Sequence, residues 1–150
     1  MTDPFAFLPH ILALAAAYAL AVPIGWNREK EERSAGLRTF PLVALASSGF
    51  VQAVEQLTAD DPAAMARVLE GVIAGIGFLG GGAILQGKES VRGTATAASL
   101  WVTGAIGVAT GLGSYGVAVV LAAFTMATLW IMAPLKPRAN EQSEEPGQQS

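Results

Sequence analysis

Long apolar tracts alternate along this chain with short polar ones, and the apolar tracts approach the length a membrane crossing requires. A helix needs about 20 mostly apolar residues to traverse about 30 Å of hydrocarbon. Five segments come close: 5–25, 39–57, 68–85, 97–112 and 115–133. The first carries no charge and has Pro9 in its first turn and Pro23 near its end. The second is the most polar, with Ser47, Ser48, Gln52 and Glu55 inside it. It reads either as a span or as an amphipathic helix lying on the surface or packed against the others. The third contains one acid, Glu70, near its start; the fourth is charge-free but short. The fifth is charge-free and has Tyr115 and Trp130 near its ends, as interfacial aromatics should be.

The connecting segments orient this bundle. With the N-terminus outside, the inner segments hold Arg28, Lys30, Arg33 and Arg38, then Lys88 and Arg92, then Lys136 and Arg138. The outer segments hold only Arg67. That bias follows the positive-inside rule and favours an odd number of spans, N-out and C-in. The expected architecture is an all-α integral membrane bundle of five transmembrane helices over residues 1–133. Residues 134–150 are polar, proline-containing and without apolar periodicity. Such a tail cannot bury enough surface to offset its ordering entropy, so a disordered cytosolic segment is expected there. Either the protein ends in that tail or a larger cytosolic domain belongs beyond it. The N-terminus lacks the basic region of a signal peptide, so the first apolar run is expected to stay in the mature protein.

Composition narrows the chemistry. Apolar residues make up 52% of the chain and charged ones only 14%, against about 25% charged in a soluble domain. The net charge of −3 and the absence of a basic stripe argue against nucleic acid as a partner. There is no Cys and a single His, His10, so thiolate chemistry is excluded and no His-based metal cluster can form. No nucleophile–base pair, metal ligand set or cofactor motif is evident, and the chain reads as a non-enzyme without cofactor or metal. Gly111, Gly113 and Gly116 match a dinucleotide fingerprint, but that motif needs a preceding strand, and here it joins two apolar segments.

Glycine is concentrated in the third and fourth segments, at Gly71, Gly75, Gly77, Gly80, Gly81 and Gly82, then Gly104, Gly107 and Gly111. Gly71 with Gly75, Gly77 with Gly81, and Gly107 with Gly111 have GxxxG spacing. In lipid, helices gain nothing hydrophobic by associating and rely on close backbone contact, which small residues permit. The expectation is glycine-mediated packing of the third helix against the fourth. A homo-oligomer interface and a helix interrupted at Gly80–Gly82 are the alternatives.

Two groups of polar residues stand out. Toward the outer side, Glu55, Asp60, Asp61 and Glu70 could form an acidic mouth that attracts cations. The plainer reading pairs Glu70 with Arg67 and leaves the others solvated. Toward the inner side lie Arg28, Glu29, Arg38, Thr39, Arg92, Thr94 and Thr96, several of them leading into helices. Thr94 or Thr96 could cap the fourth helix, and Arg92 adds positive charge beside its dipole. Such a surface suits an anion, a lipid phosphate or an acidic partner side chain. Ordinary capping and headgroup contact are the simpler alternative, and Glu29 with Arg33 reads as a surface pair.

The GLRT run ending at Thr39, GIGFLGGGAIL from Gly75, and VRGTATAASLWVTGAIGVATGLG from Val91 resemble the membrane domain of the MgtC/SapB family. The similarity covers roughly residues 20–115. It implies a five-span, N-out bundle in the bacterial inner membrane and a role in growth under magnesium limitation and in virulence. It further implies stress regulation through a membrane protein partner, some members being linked to restraint of the F-type ATP synthase. Transport of Mg²⁺ or another small ion is the alternative. The family's first basic motif typically reads G-x-E-R-E, whereas this chain has Asn27 for the first Glu. Gly71 and Glu70 likewise stand where the family usually has Gln and an apolar residue. Many members continue into a cytosolic regulatory domain. Topology and motif together suggest one cytosolic network of Arg28, Glu29, Arg38, Arg92, Thr94 and Thr96.

Overall fold

A computed structural model describes residues 7–31, 35–58, 61–86 and 91–132. Five helices follow in order: α1 (Leu8–Lys30), α2 (Thr39–Thr58), α3 (Pro62–Gly82), α4 (Thr94–Gly111) and α5 (Tyr115–Ile131). The link from α3 to α4 contains a two-residue antiparallel pairing, β1 (Leu85–Gln86) with β2 (Val91–Arg92). The expected tail, 134–150, lies outside the described residues, as do Asp60, Arg33 and Lys88.

Apart from that short pairing the described residues form a helical fold, and α1 and α3 are long and apolar enough to cross a membrane; α5 is apolar but shorter. Phe78, Phe124 and Trp130 are 83%, 71% and 70% exposed. In water so much open apolar surface would drive association; facing lipid it costs nothing, and the surface is that of a membrane protein.

α4 occupies the centre. It packs against each of the other four helices, which surround it in the order α3, α2, α1, α5. Its sequence suits that place, because small and hydroxylated residues let backbones approach. Thr96, Ser99, Leu100, Thr103, Gly104, Ile106, Gly107, Ala109 and Thr110 are all buried. Three of the buried hydroxyls bond within the helix itself. Ser99 Oγ donates to Ala95 O at 2.7 Å, Thr103 Oγ1 to Ser99 O at 2.8 Å and Thr110 Oγ1 to Gly107 O at 2.8 Å.

The helix that meets α4 most closely is α2, not α3. A Cβ on Gly107 would strike the Ala44 carbonyl oxygen, and one on Gly111 would lie 2.9 Å from both Ser48 O and Val51 Cβ. Two of the four polar residues that weaken α2 as a membrane segment face this contact: Ser47 and Ser48 are buried, and Ser47 Oγ donates to Val43 O at 2.8 Å. Thus α2 is packed within the bundle rather than laid on its surface.

The expected packing of α3 on α4 through glycine is corrected accordingly. Of the α3 glycines only Gly80 faces α4 closely, since a Cβ there would lie 3.5 Å from Ala97 O, while a Cβ on Gly104 of α4 would strike the Ile76 side chain. A Cβ added at Gly71, Gly75, Gly77, Gly81 or Gly82 would meet nothing within 4 Å. The physical reason is that α2 already covers the glycine face of α4, leaving α3 a narrow contact that buries only Ile76 and Gly80. Nor is α3 interrupted: it stays helical through Gly82.

Candidate functional site

Helix direction gathers most of the polar motifs at one end of the bundle. There α1 ends, α2 begins, α4 begins and α5 ends. The first motif is helical rather than a loop, since α1 runs on to Lys30. Its buried stripe, Ala13, Ala17, Ala21, Ile24 and Gly25, continues at the same spacing into Arg28, which is only 5% exposed. A guanidinium at the end of an alanine stripe is costly to bury without acceptors. One acceptor is Asn27, whose Oδ1 takes hydrogen bonds from Arg28 Nε, at 3.1 Å, and from Nη2. The residue that departs from the family pattern therefore still supplies an acceptor, as a neutral amide.

Glu29 has a different task. Its Oε2 accepts from Leu37 N at 3.1 Å, which folds the α1–α2 link back onto α1. Gly25 fits beneath that link, since a Cβ there would lie 3.2 Å from Gly36 O and from Leu37 Cα. Gly36 O in turn accepts from Thr39 N at 3.0 Å and Phe40 N at 3.2 Å, and so opens α2. Pro41 contributes no donor. The first turn of α2 is thereby largely satisfied without an anion.

At α4 the expected capping by Thr94 or Thr96 is corrected. The cap position belongs to Gly93, with φ of 92° and no side-chain cap. A Cβ at Gly93 would meet Ala83 O, so the hairpin's approach to the end of α3 excludes any capping side chain. Thr96 is buried in the bundle, whereas Thr94 is exposed. Arg38 and Arg92 are also exposed, and neither makes a side-chain hydrogen bond or ion pair among the described residues. The predicted residues thus share one end of the molecule but divide into separate local roles, with Arg38 and Arg92 left facing outward. Trp26 and Trp130 border the same end, and Lys30 Nζ sits 5.3 Å from the Trp26 ring centroid.

At the other end the described acidic residues have separate surroundings. Asp61 caps α3, accepting from Ala64 N at 3.0 Å, and pairs with Arg67 at 3.5 Å. Arg67 therefore pairs with Asp61 and not with Glu70. Glu55 and Glu70 are exposed, Asp60 lies outside the described residues, and no three metal-ligating residues cluster among those described. One contact here escaped the sequence reading: His10 Nδ1 donates to Gln52 Oε1 at 2.8 Å, while Gln52 Nε2 donates to Ser48 Oγ at 3.0 Å. The signal was present, since antiparallel α1 and α2 bring the start of one beside the end of the other. The alanine stripe of α1 was equally visible as a four-residue repeat.

Residues 14–138 match the model of the MgtC family. The chain is 39% identical to Protein SrpB of Synechococcus elongatus, over 77% of this chain and 70% of that protein. It is 40% identical to Protein MgtC of Salmonella typhimurium, over 77% of this chain and 48% of that one. With Protein MgtC of Brucella abortus the identity is 40%, over 85% and 53% respectively. The chain spans about half the length of these MgtC relatives. No solved structure matches it.

Proposed function

We propose, from the premise that this chain belongs to the MgtC family, that it is a non-catalytic regulator acting by contact with a membrane protein partner. In this reading five spans, N-out and C-in, place the polar end of the bundle in the cytosol of a bacterium, in the inner membrane. The family resemblance supplies the setting, adaptation to low magnesium. The observation that carries the reading is the pair of outward-facing guanidiniums, Arg38 and Arg92, standing at the end where the family-like motifs converge. The interior supports a regulator over a conduit. No acid is buried among the described residues, and the hydroxyls of Ser47, Ser99, Thr103 and Thr110 are turned back onto carbonyls of their own helices.

The test is crosslinking in native membranes with Arg38→Gln and Arg92→Gln variants. Both residues are exposed, so the variants should accumulate normally and lose most of the captured partner. Undiminished capture by the double variant overturns the reading. Flux of Mg²⁺ or another small ion into liposomes holding purified protein, reduced by Glu55→Gln and Glu70→Gln, would favour transport instead.

A further inference from the structure

Between α2 and α3 lies a groove of about 670 Å³. Its walls are apolar, with Leu42 and Phe50 on one side and Val68 and Leu79 on the other. Gly71 and Gly75 line it and leave open space where side chains would otherwise stand. The one charged group in its lining is Arg38, at the end where α2 begins, with Thr39 beside it.

The dimensions select an occupant. From Arg38 to Phe50 a helix rises about 18 Å at about 1.5 Å per residue, close to half of a hydrocarbon core about 30 Å thick. A helix about 10 Å across would take up roughly 1400 Å³ over that stretch, so the groove could seat only about half of one. One acyl chain of a single leaflet is slimmer and has the matching length. The charge is complementary as well, because a guanidinium binds phosphate through paired, charge-assisted hydrogen bonds. A small free anion is served less well. The amides of Thr39 and Phe40 are already engaged by Gly36 O, and Pro41 offers none.

We propose that the α2–α3 groove binds an anionic phospholipid of the cytosolic leaflet, its phosphate on Arg38 and Thr39 and one acyl chain against Gly71 and Gly75. The leaflet assignment rests on the proposed orientation; the groove itself does not.

Native mass spectrometry of the full chain extracted from its own membranes tests this, with phosphatidylglycerol as the probe. Wild-type protein should retain one such lipid in preference to phosphatidylethanolamine. Arg38→Gln should lower that occupancy about tenfold, the factor one charge-assisted hydrogen bond supplies. Gly75→Leu should lower it as far by filling the groove. Gly77→Leu, which adds the same bulk in open space outside the groove, should leave it unchanged. Retention as high as wild type in either Arg38→Gln or Gly75→Leu overturns the proposal, as does displacement of the lipid by inorganic phosphate. Because the chain has no cysteine, Gly75→Cys can be oxidised in membranes, and a disulfide-linked dimer would show a second copy in the groove, also overturning it. Labelling of Arg38→Cys by a reagent confined to the outside overturns the leaflet assignment and the topology, whatever the lipid occupancy shows.

Discussion

Gly107 and Gly77 are the same residue on neighbouring helices and answer opposite demands. Gly107 lies where α4 presses on the Ala44 carbonyl, so Gly107→Ala must push two backbones apart. Such overpacking costs about 1–3 kcal/mol, and the variant should melt well below wild type in detergent. Gly77 faces open space. Gly77→Ala should be neutral or gain up to about 1 kcal/mol from helix propensity. A loss of stability at Gly77 in membranes, but not in detergent, would reveal a neighbour there that the single chain does not possess. Glu29 allows a finer comparison, because its carboxylate holds the Leu37 amide. Glu29→Gln keeps an acceptor, while Glu29→Ala removes it at a cost of about 1 kcal/mol. Amide exchange at Leu37 should accelerate strongly in the second variant and little in the first.

At the level of helices, hydropathy located all five elements because apolar runs end at charged breaks, except between α4 and α5, where the uncharged Leu112-Gly113-Ser114 turn divides them. The bounds of α2 were legible almost to the residue, since Arg38 and the Gly36 turn stop the helix where the charge does. The end of α1 was not. Hydropathy senses what the solvent prefers, and it falls at Asn27, while the backbone stays helical to Lys30 and buries Arg28 on the alanine stripe. Pairing was legible least of all. GxxxG spacing says that a helix can be approached closely, not which neighbour approaches, and the decisive complement lay in the serines of α2 that looked like defects. Gln52 makes the same point. Read alone it weakens a span; in the fold its amide ties α2 to His10 of α1. Gln52→Leu should raise the hydropathy of α2 yet destabilise the α1–α2 pair by about 0.6 kcal/mol or somewhat more, as interhelical hydrogen bonds in membranes do. A double-mutant cycle with His10→Phe checks it: coupling near zero would deny the tie.

For the whole molecule, charge and aromatic placement act together. The end bearing Lys30, Arg38 and Arg92 is also the end bordered by Trp26 and Trp130, as expected of an interface on the positively charged side. A reporter fused after Ser150 should accordingly remain on the cytosolic side. Its export would reverse the proposed topology and move the exposed arginines to the outer surface.

Enclosure of α4 by all four neighbours also bears on how the chain is made. A helix whose buried faces carry Thr96, Ser99, Thr103, Gly104, Gly107 and Thr110 gains little by entering lipid alone, and α2, synthesised earlier, turns its own serines toward the place α4 will fill. The two poorest candidates for independent insertion are therefore each other's environment. In the proposed five-span reading, α2 is expected to stay beside the insertion machinery until α4 emerges, so that the bundle assembles late and together rather than helix by helix.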